Sequence, residues 1–164
     1  MDNTNTRRIH RRALLGMGLA STLGGLPLLA LGAPGQPMIE VWKTATCGCC
    51  KDWIVHLQAN GFEVRPHDIS EAAKREQRQR LGLADPFGSC HTALVGGYLI
   101  EGHVPAREIQ RLLKEKPRAL GLAVPGMPVG SPGMDGPEYG GRKDRYAVLL
   151  VQRGGGSSIY QSYP

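Results

Sequence analysis

Met38-Ile-Glu-Val-Trp-Lys-Thr-Ala-Thr-Cys-Gly-Cys-Cys-Lys-Asp-Trp-Ile-Val-His-Leu-Gln-Ala-Asn60 is the stretch from which the rest of the chain can be read. Its first six residues, Met38 to Lys43, form a short, largely apolar run that reads as a strand. From Cys50 to Asn60 the residues Cys50, Trp53, Ile54 and Leu57 recur on one face of a helix, and Gly61 supplies the stop. Between the two elements lie Cys47, Cys49 and Cys50, three thiols within four residues.

Outward from there, Phe62 to Ile69 alternates well enough for a second strand, and Ser70 caps a charged helix that runs to Leu81 before Gly82. Thr92–Val95 and Tyr98–Ile100 flank Gly96-Gly97, the pattern of a hairpin with a two-residue turn. Pro105 suits the first turn of a last helix whose apolar face is Ile109, Leu112 and Leu113. The order β-α-β-α-β-β-α is that of a small α/β layer fold of the thioredoxin type.

Beyond Lys116 the composition changes. Residues 121–141 hold eleven Gly or Pro among 21, which predicts an extended loop or flap without regular structure. Tyr146 to Gln152 reads as a buried strand, and Ser158 to Tyr163 can pair with it across the glycines at 154–156 as an added C-terminal hairpin.

The chain has 164 residues, 20 Lys+Arg against 14 Asp+Glu, and a pI near 9.4. That length suits one small domain and leaves no room for a second catalytic domain of ordinary size. Arg7, Arg8, Arg11 and Arg12 precede an uncharged run from Ala13 to Leu31 that closes on Ala30, Gly32 and Ala33. Basic region, apolar region and small-residue site in that order describe an export signal, and Arg11-Arg12-Ala13-Leu14-Leu15 gives it a twin-arginine character. The alternative is a retained membrane anchor, but Pro27 and the leader's glycines make a poor permanent helix. Residues 1–33 are thus expected to be removed, leaving residues 34–164 as the domain, with 16 Lys+Arg against 13 Asp+Glu. A mature charge of about +3 carries no argument for nucleic acid.

Export makes disulfides the default for four cysteines, yet only Cys90 is far from the others, and clustered thiols suit a site better than a scaffold. Cys47 and Cys50 form a Cys-x-x-Cys pair at a helix start, where free backbone N–H groups and the helix dipole favour a thiolate, and Lys51 adds positive charge. Cys49 is a third sulfur that a plain redox pair does not need. Three thiols favour a soft ion: Cu(I) first, with Zn(II) as the lesser alternative. Cys50 is also on the apolar face, so a purely structural core thiol is its plain alternative. Cys90 and His91 enter the hairpin strand, where a thioredoxin-type fold faces them toward the three thiols. His103 opens the last helix at the same end, either as a ligand or as a residue that caps or orients that helix. His56 and His67 are expected to be solvated. Met127 and Met134, in the Gly/Pro-rich loop, are either thioether ligands on a flap or hydrophobic plugs.

Thr46-Cys47-Gly48-Cys49-Cys50, Ser89-Cys90-His91-Thr92, Glu101-Gly102-His103-Val104-Pro105 and Gly121-Leu122-Ala123-Val124-Pro125-Gly126-Met127-Pro128, in this order, resemble the CopG-type family of exported, copper-associated proteins. The resemblance spans about residues 38 to 163. It implies a thioredoxin-like fold, a periplasmic location, copper resistance as the setting, and a cysteine-rich site able to hold copper, several ions as a thiolate cluster included. It also raises copper redox interconversion as a role, with copper-resistance proteins or an electron-transfer protein as partners. Two classes of function follow. One is copper binding through Cys47, Cys49, Cys50 and Cys90 with His91, His103, Met127 and Met134 as further ligands. The other is thiol-disulfide exchange in which Cys47 attacks and Cys50 resolves.

Overall fold

A computed structural model describes residues 37–164; the export signal expected over residues 1–33 lies outside the described residues. One seven-stranded mixed sheet organises the chain, in the order β2-β1-β3-β4-β5-β6-β7. The strands are β1 (Ile39–Lys43), β2 (Val64–Asp68), β3 (Thr92–Val95), β4 (Tyr98–Glu101), β5 (Gly121–Ala123), β6 (Tyr146–Val151) and β7 (Ser157–Tyr163), and the helices are α1 (Gly48–Ala59), α2 (Glu71–Arg80) and α3 (Ala106–Glu115). β1 pairs with β2, and β4 with β5, in parallel; the other pairs are antiparallel. Among the described residues no helix is long and apolar enough to cross a membrane.

Alternation along the strands divides the core. Ile39, Val41, Ala93, Val95, Ile100 and Leu122 pack with Trp53, Ile54 and Leu57 of α1 and Ile109 and Leu112 of α3. Leu99, Leu120, Ala123 and Val151 face the other way and meet Leu83, with Leu81 and Phe87 packed alongside. Both faces of the central strands are therefore covered, which suits their apolar sequences. β2, which carries Pro66, stands at the edge of the sheet, the position where a strand tolerates proline.

Several expectations hold in detail. Gly96 and Gly97 take positive φ values of 54° and 83°, as a two-residue hairpin turn between β3 and β4 requires. The Ser70 hydroxyl accepts a hydrogen bond from the Ala73 N–H at 3.2 Å, capping α2. Helix α1, however, starts at Gly48 rather than Cys50, so that Cys47 is its N-cap and Cys49 and Cys50 lie in its first turn.

The largest difference concerns residues 121–141. Glycine and proline density predicts no regular element there, yet Gly121–Ala123 is an interior strand, buried along its length. The reason is close approach: Gly121 lies against Leu99, and a Cβ would collide with the Leu99 carbonyl oxygen. Glycine at this position is what admits the strand. Through β5 the C-terminal hairpin joins the main sheet, β6 pairing Leu122 with Leu150. β6 is buried only at Val148, which joins the core under α1 and α3, and at Val151, which joins the core on the other face; its other residues are half-exposed, so the expectation of a buried strand holds only in part.

Candidate metal centre

Register explains why distant sequence motifs meet. Trp42 near the end of β1 pairs with Thr92 at the start of β3, Thr92 pairs with Glu101 at the end of β4, and Glu101 pairs with Ala123 at the end of β5. The loops carrying Cys47–Cys50, Cys90-His91, His103 and the Gly/Pro-rich segment therefore leave the same end of the sheet.

Two groups of donor atoms result. The sulfurs of Cys47, Cys49, Cys50 and Cys90 all lie within 4.8 Å of one another, and so do the ligand atoms of Cys90, His91 and His103. Cys90 belongs to both. Cys47 and Cys50 are joined as a disulfide, and Cys49 and Cys90 are free thiols. Cys49 Sγ stands 3.6 Å from Cys47 Sγ. Cys50 is fully buried on the apolar face of α1, so it is at once a core residue and a member of the cluster.

Cys90 Sγ is 3.0 Å from His103 Nε2 and 3.2 Å from His91 Nδ1. The other nitrogen of His103, Nδ1, donates to the Pro132 carbonyl at 2.8 Å, because a carbonyl oxygen can only accept. That bond fixes the tautomer and leaves the Nε2 lone pair aimed at the sulfur, the arrangement by which outer partners orient a metal-binding imidazole. His91 is completely buried, packed against Trp53 at 4.2 Å between ring centroids with the rings tilted by 34°, and its Nε2 has no hydrogen-bond partner. Burial, with lesser help from neighbouring His103, holds the His91 pKa well below the ordinary imidazole value; burial likewise lowers that of His103. Both shifts favour the neutral ring, the form that binds a metal. Burial first, then the adjacent Cys49, pushes the Cys90 thiol up to about 12. A metal entering here displaces a proton from Cys90. The donor set, soft sulfur with neutral imidazole, fits a thiophilic ion.

The loop bearing Cys90 is held by charged side chains that the sequence did not single out. Lys74 Nζ donates to the Cys90 carbonyl at 2.7 Å, and Arg78 donates to the Ser89 carbonyl at 2.8 Å. Arg78 also pairs with Glu101 at 2.9 Å, and Glu101, fully buried, accepts from the Ser89 N–H and the Thr92 hydroxyl, each at 2.6 Å. One legible signal existed: Lys74 and Arg78 stand four apart, on one face of α2. Glu101, an acid inside an apolar hairpin, was the other.

The Gly/Pro-rich loop does return over the thiols. Gly133, at φ 84°, is so close to the first turn of α1 that a Cβ would lie 2.6 Å from the Cys49 carbonyl oxygen and 2.7 Å from the Trp53 nitrogen. Met134 is nearly buried, and its sulfur accepts the Tyr139 hydroxyl at 3.3 Å; Met127 is 52% exposed, in a cleft with Leu149 and Tyr146. The two histidines expected to be solvated are only partly exposed, and each has a partner. His56 Nε2 accepts the Ala106 N–H at 3.0 Å, so it is His56 that caps α3, because α1 runs beside the start of that helix. His67 stacks on Trp42, with its Nε2 buried.

Fold and site together define a mixed α/β protein with a thiol–imidazole donor cluster at one end of its sheet. A family model described as "Protein of unknown function, DUF411" matches residues 87–134, the segment from Phe87 through Met134. Two solved structures, titled copper resistance protein copG in Form 2 and Form 1, are 48% and 46% identical to the chain. Each aligns with a TM-score of 0.71 over 79% of this chain, covering 99% and 98% of the respective relative. No curated protein matches. The chain belongs to the CopG family.

Proposed function

We propose that this protein is a periplasmic copper-binding protein of copper resistance, exported by the leader in residues 1–33, which holds Cu(I) in the site formed by Cys47, Cys49, Cys50, Cys90, His91 and His103. The observation that carries the reading is that Cys90 Sγ belongs to both donor groups, so one thiolate can bridge an all-sulfur set and a set with two imidazoles. The titles of its relatives and the cysteine cluster support the copper-related role. Sulfur donors favour Cu(I), and imidazole nitrogens also suit Cu(II), so the site is chemically suited to interconvert the two states. We read its first four strands and three helices as a thioredoxin-type core, with Met127 and Met134 as thioether reserves on the loop and copper-resistance or electron-transfer proteins as partners.

Reduction of Cys47–Cys50 takes two electrons and two protons and raises the number of free thiols in the sulfur group from two to four. The test is anaerobic Cu(I) titration of the reduced protein against a competing chelator. Cys90→Ser is expected to lose more bound copper per chain than Cys49→Ser, since it removes a donor from both groups; equal losses, or none, would overturn the shared-donor reading. Zinc held more tightly than Cu(I) in the same competition would move the assignment to the lesser ion.

A second reading, thiol-disulfide exchange, is favoured by one feature. Cys47 is half-exposed at the helix N-cap while Cys50 is fully buried, the asymmetry of an attacking and a resolving cysteine. Rapid reduction of a protein disulfide by the metal-free protein, with weak copper affinity, would establish it instead.

A further inference from the structure

At the sheet end opposite the thiols, beside the Gly96-Gly97 turn, lies a cleft of about 1050 Å³. Its lining combines apolar surface from Tyr98, Leu113 and Pro117 with the cations Lys116, Arg118 and Arg153, and includes no acidic residue. All three cations are exposed, and among the described residues none is paired with a carboxylate. Their positive potential is therefore not neutralised locally, and the concave surface concentrates it.

Lys116 adds an independent observation. Among the described residues, twelve glycines have positive φ, and Lys116 is the one residue with a side chain that does, at φ 51° and ψ 49°. Left-handed backbone at a helix end is ordinarily supplied by glycine, and the proline that follows further restricts the residue before it. The cap needs only the backbone: the Lys116 N–H donates to the Leu112 carbonyl at 2.9 Å, a bond that glycine would make equally well. The hydrogen bond of the cap does not use the lysine side chain, and Lys116 lines the cleft.

We propose that this cleft docks an acidic peptide segment of a partner protein, its carboxylates meeting Lys116, Arg118 and Arg153 while an aliphatic or aromatic side chain enters the apolar lining. Charge complementarity selects the acid, and the concave, partly apolar shape favours an inserted side chain over a flat lipid surface or a small inorganic anion. The site is separate from the thiol–imidazole cluster, so the proposal stands or falls independently of the copper reading.

The experiment is titration of the ¹⁵N-labelled full chain with the peptide Asp-Glu-Leu-Phe-Glu-Asp, read by amide chemical shifts. Shifts concentrated at Gly96, Gly97, Lys116, Arg118 and Arg153 are expected, with a Kd on the order of 0.1 mM at low salt that weakens as salt rises. Lys116→Gly is expected to bind about threefold more weakly while its Tm stays level or rises, because the substitution relieves left-handed strain; this separates lost docking from lost folding. Arg118→Ala with Arg153→Ala is expected to bind about tenfold more weakly. Absence of shifts at the cleft, or unchanged affinity in these variants, overturns the proposal. So does saturation of the same signals by inorganic phosphate at equal affinity, which would mark a simple anion site, or retention on phosphatidylglycerol vesicles through these cations without peptide binding.

Discussion

The two loops that bring sulfur to the cluster are held in opposite ways. The Cys47–Cys50 loop is closed by its own covalent bond and by the first turn of the helix it begins, so almost everything that shapes it lies within four residues. The Ser89–Thr92 loop has no such local support. The carbonyls of Ser89 and Cys90 are taken by Arg78 and Lys74 from α2, the Ser89 N–H and the Thr92 hydroxyl by Glu101 from the far strand of the hairpin, and the Ser89 hydroxyl by the Gly126 carbonyl. The difference teaches that Cys90, the donor common to both groups, is positioned by tertiary electrostatics, whereas its three partners are positioned by local chain geometry.

The most damaging change should therefore fall on the second loop. Glu101→Gln removes the charged partner of a nine-tenths-buried Arg78 and is expected to cost about 3 to 5 kcal/mol in urea unfolding, the range for breaking a buried ion pair from one side. If the two loops are independent, titration of free thiols in this variant should still find Cys47 and Cys50 oxidised. Loss of that disulfide would show that they are one unit.

Opening the first loop should matter less. The disulfide spans a sequence separation of three, so its constraint on the unfolded chain is small, and reduction is expected to lower stability by about 2 kcal/mol or less. Thermal unfolding with and without a phosphine reductant measures it. A drop as large as that of Glu101→Gln would erase the contrast between covalent and electrostatic support.

Smaller again is Ser70→Ala, which removes the cap of the helix carrying Lys74 and Arg78 and is expected to cost about 1 kcal/mol. If α2 exists chiefly to present those two cations, this variant should also weaken metal retention at Cys90 more than at Cys49, as read by competition with a chelator.

The least of these effects is a pH dependence on the α1 side. Burial lowers the His56 pKa below the ordinary value of 6.5, so the folded state binds this proton less readily than the unfolded state. Its contribution to stability is full above the unfolded pKa and is lost as pH falls through that value toward the lower folded one. His91 and His103 shift in the same direction. In metal-free protein, His56→Gln should shallow the fall in Tm between about pH 7.5 and about pH 5.5 without abolishing it. An unchanged slope would place the acid sensitivity wholly at the two imidazoles beside Cys90.

Legibility followed range. The Ser70 cap, the Gly96-Gly97 turn and the apolar stripe of α1 were readable because each is decided by residues within about one helical turn or one hairpin. Strand β5 was not, because its composition signals a loop and only contact with Leu99 makes glycine an asset there. His56 and His103 show the same limit at the site. The sequence offered a helix-capping role for His103, and the fold gave that role to His56, 50 residues before its partner Ala106 and on a neighbouring helix.

By itself, the sequence determined that three cysteines would sit at a helix start and that a fourth would stand next to a histidine before a hairpin, since spacing and periodicity act along the chain. Which sulfur would be shared, which nitrogen of His103 would face it, and which charges would hold it in place were decided only by tertiary structure. Those outcomes depend on strand register and on the burial of Arg78 and Glu101. Both are set by packing between segments that the chain order separates.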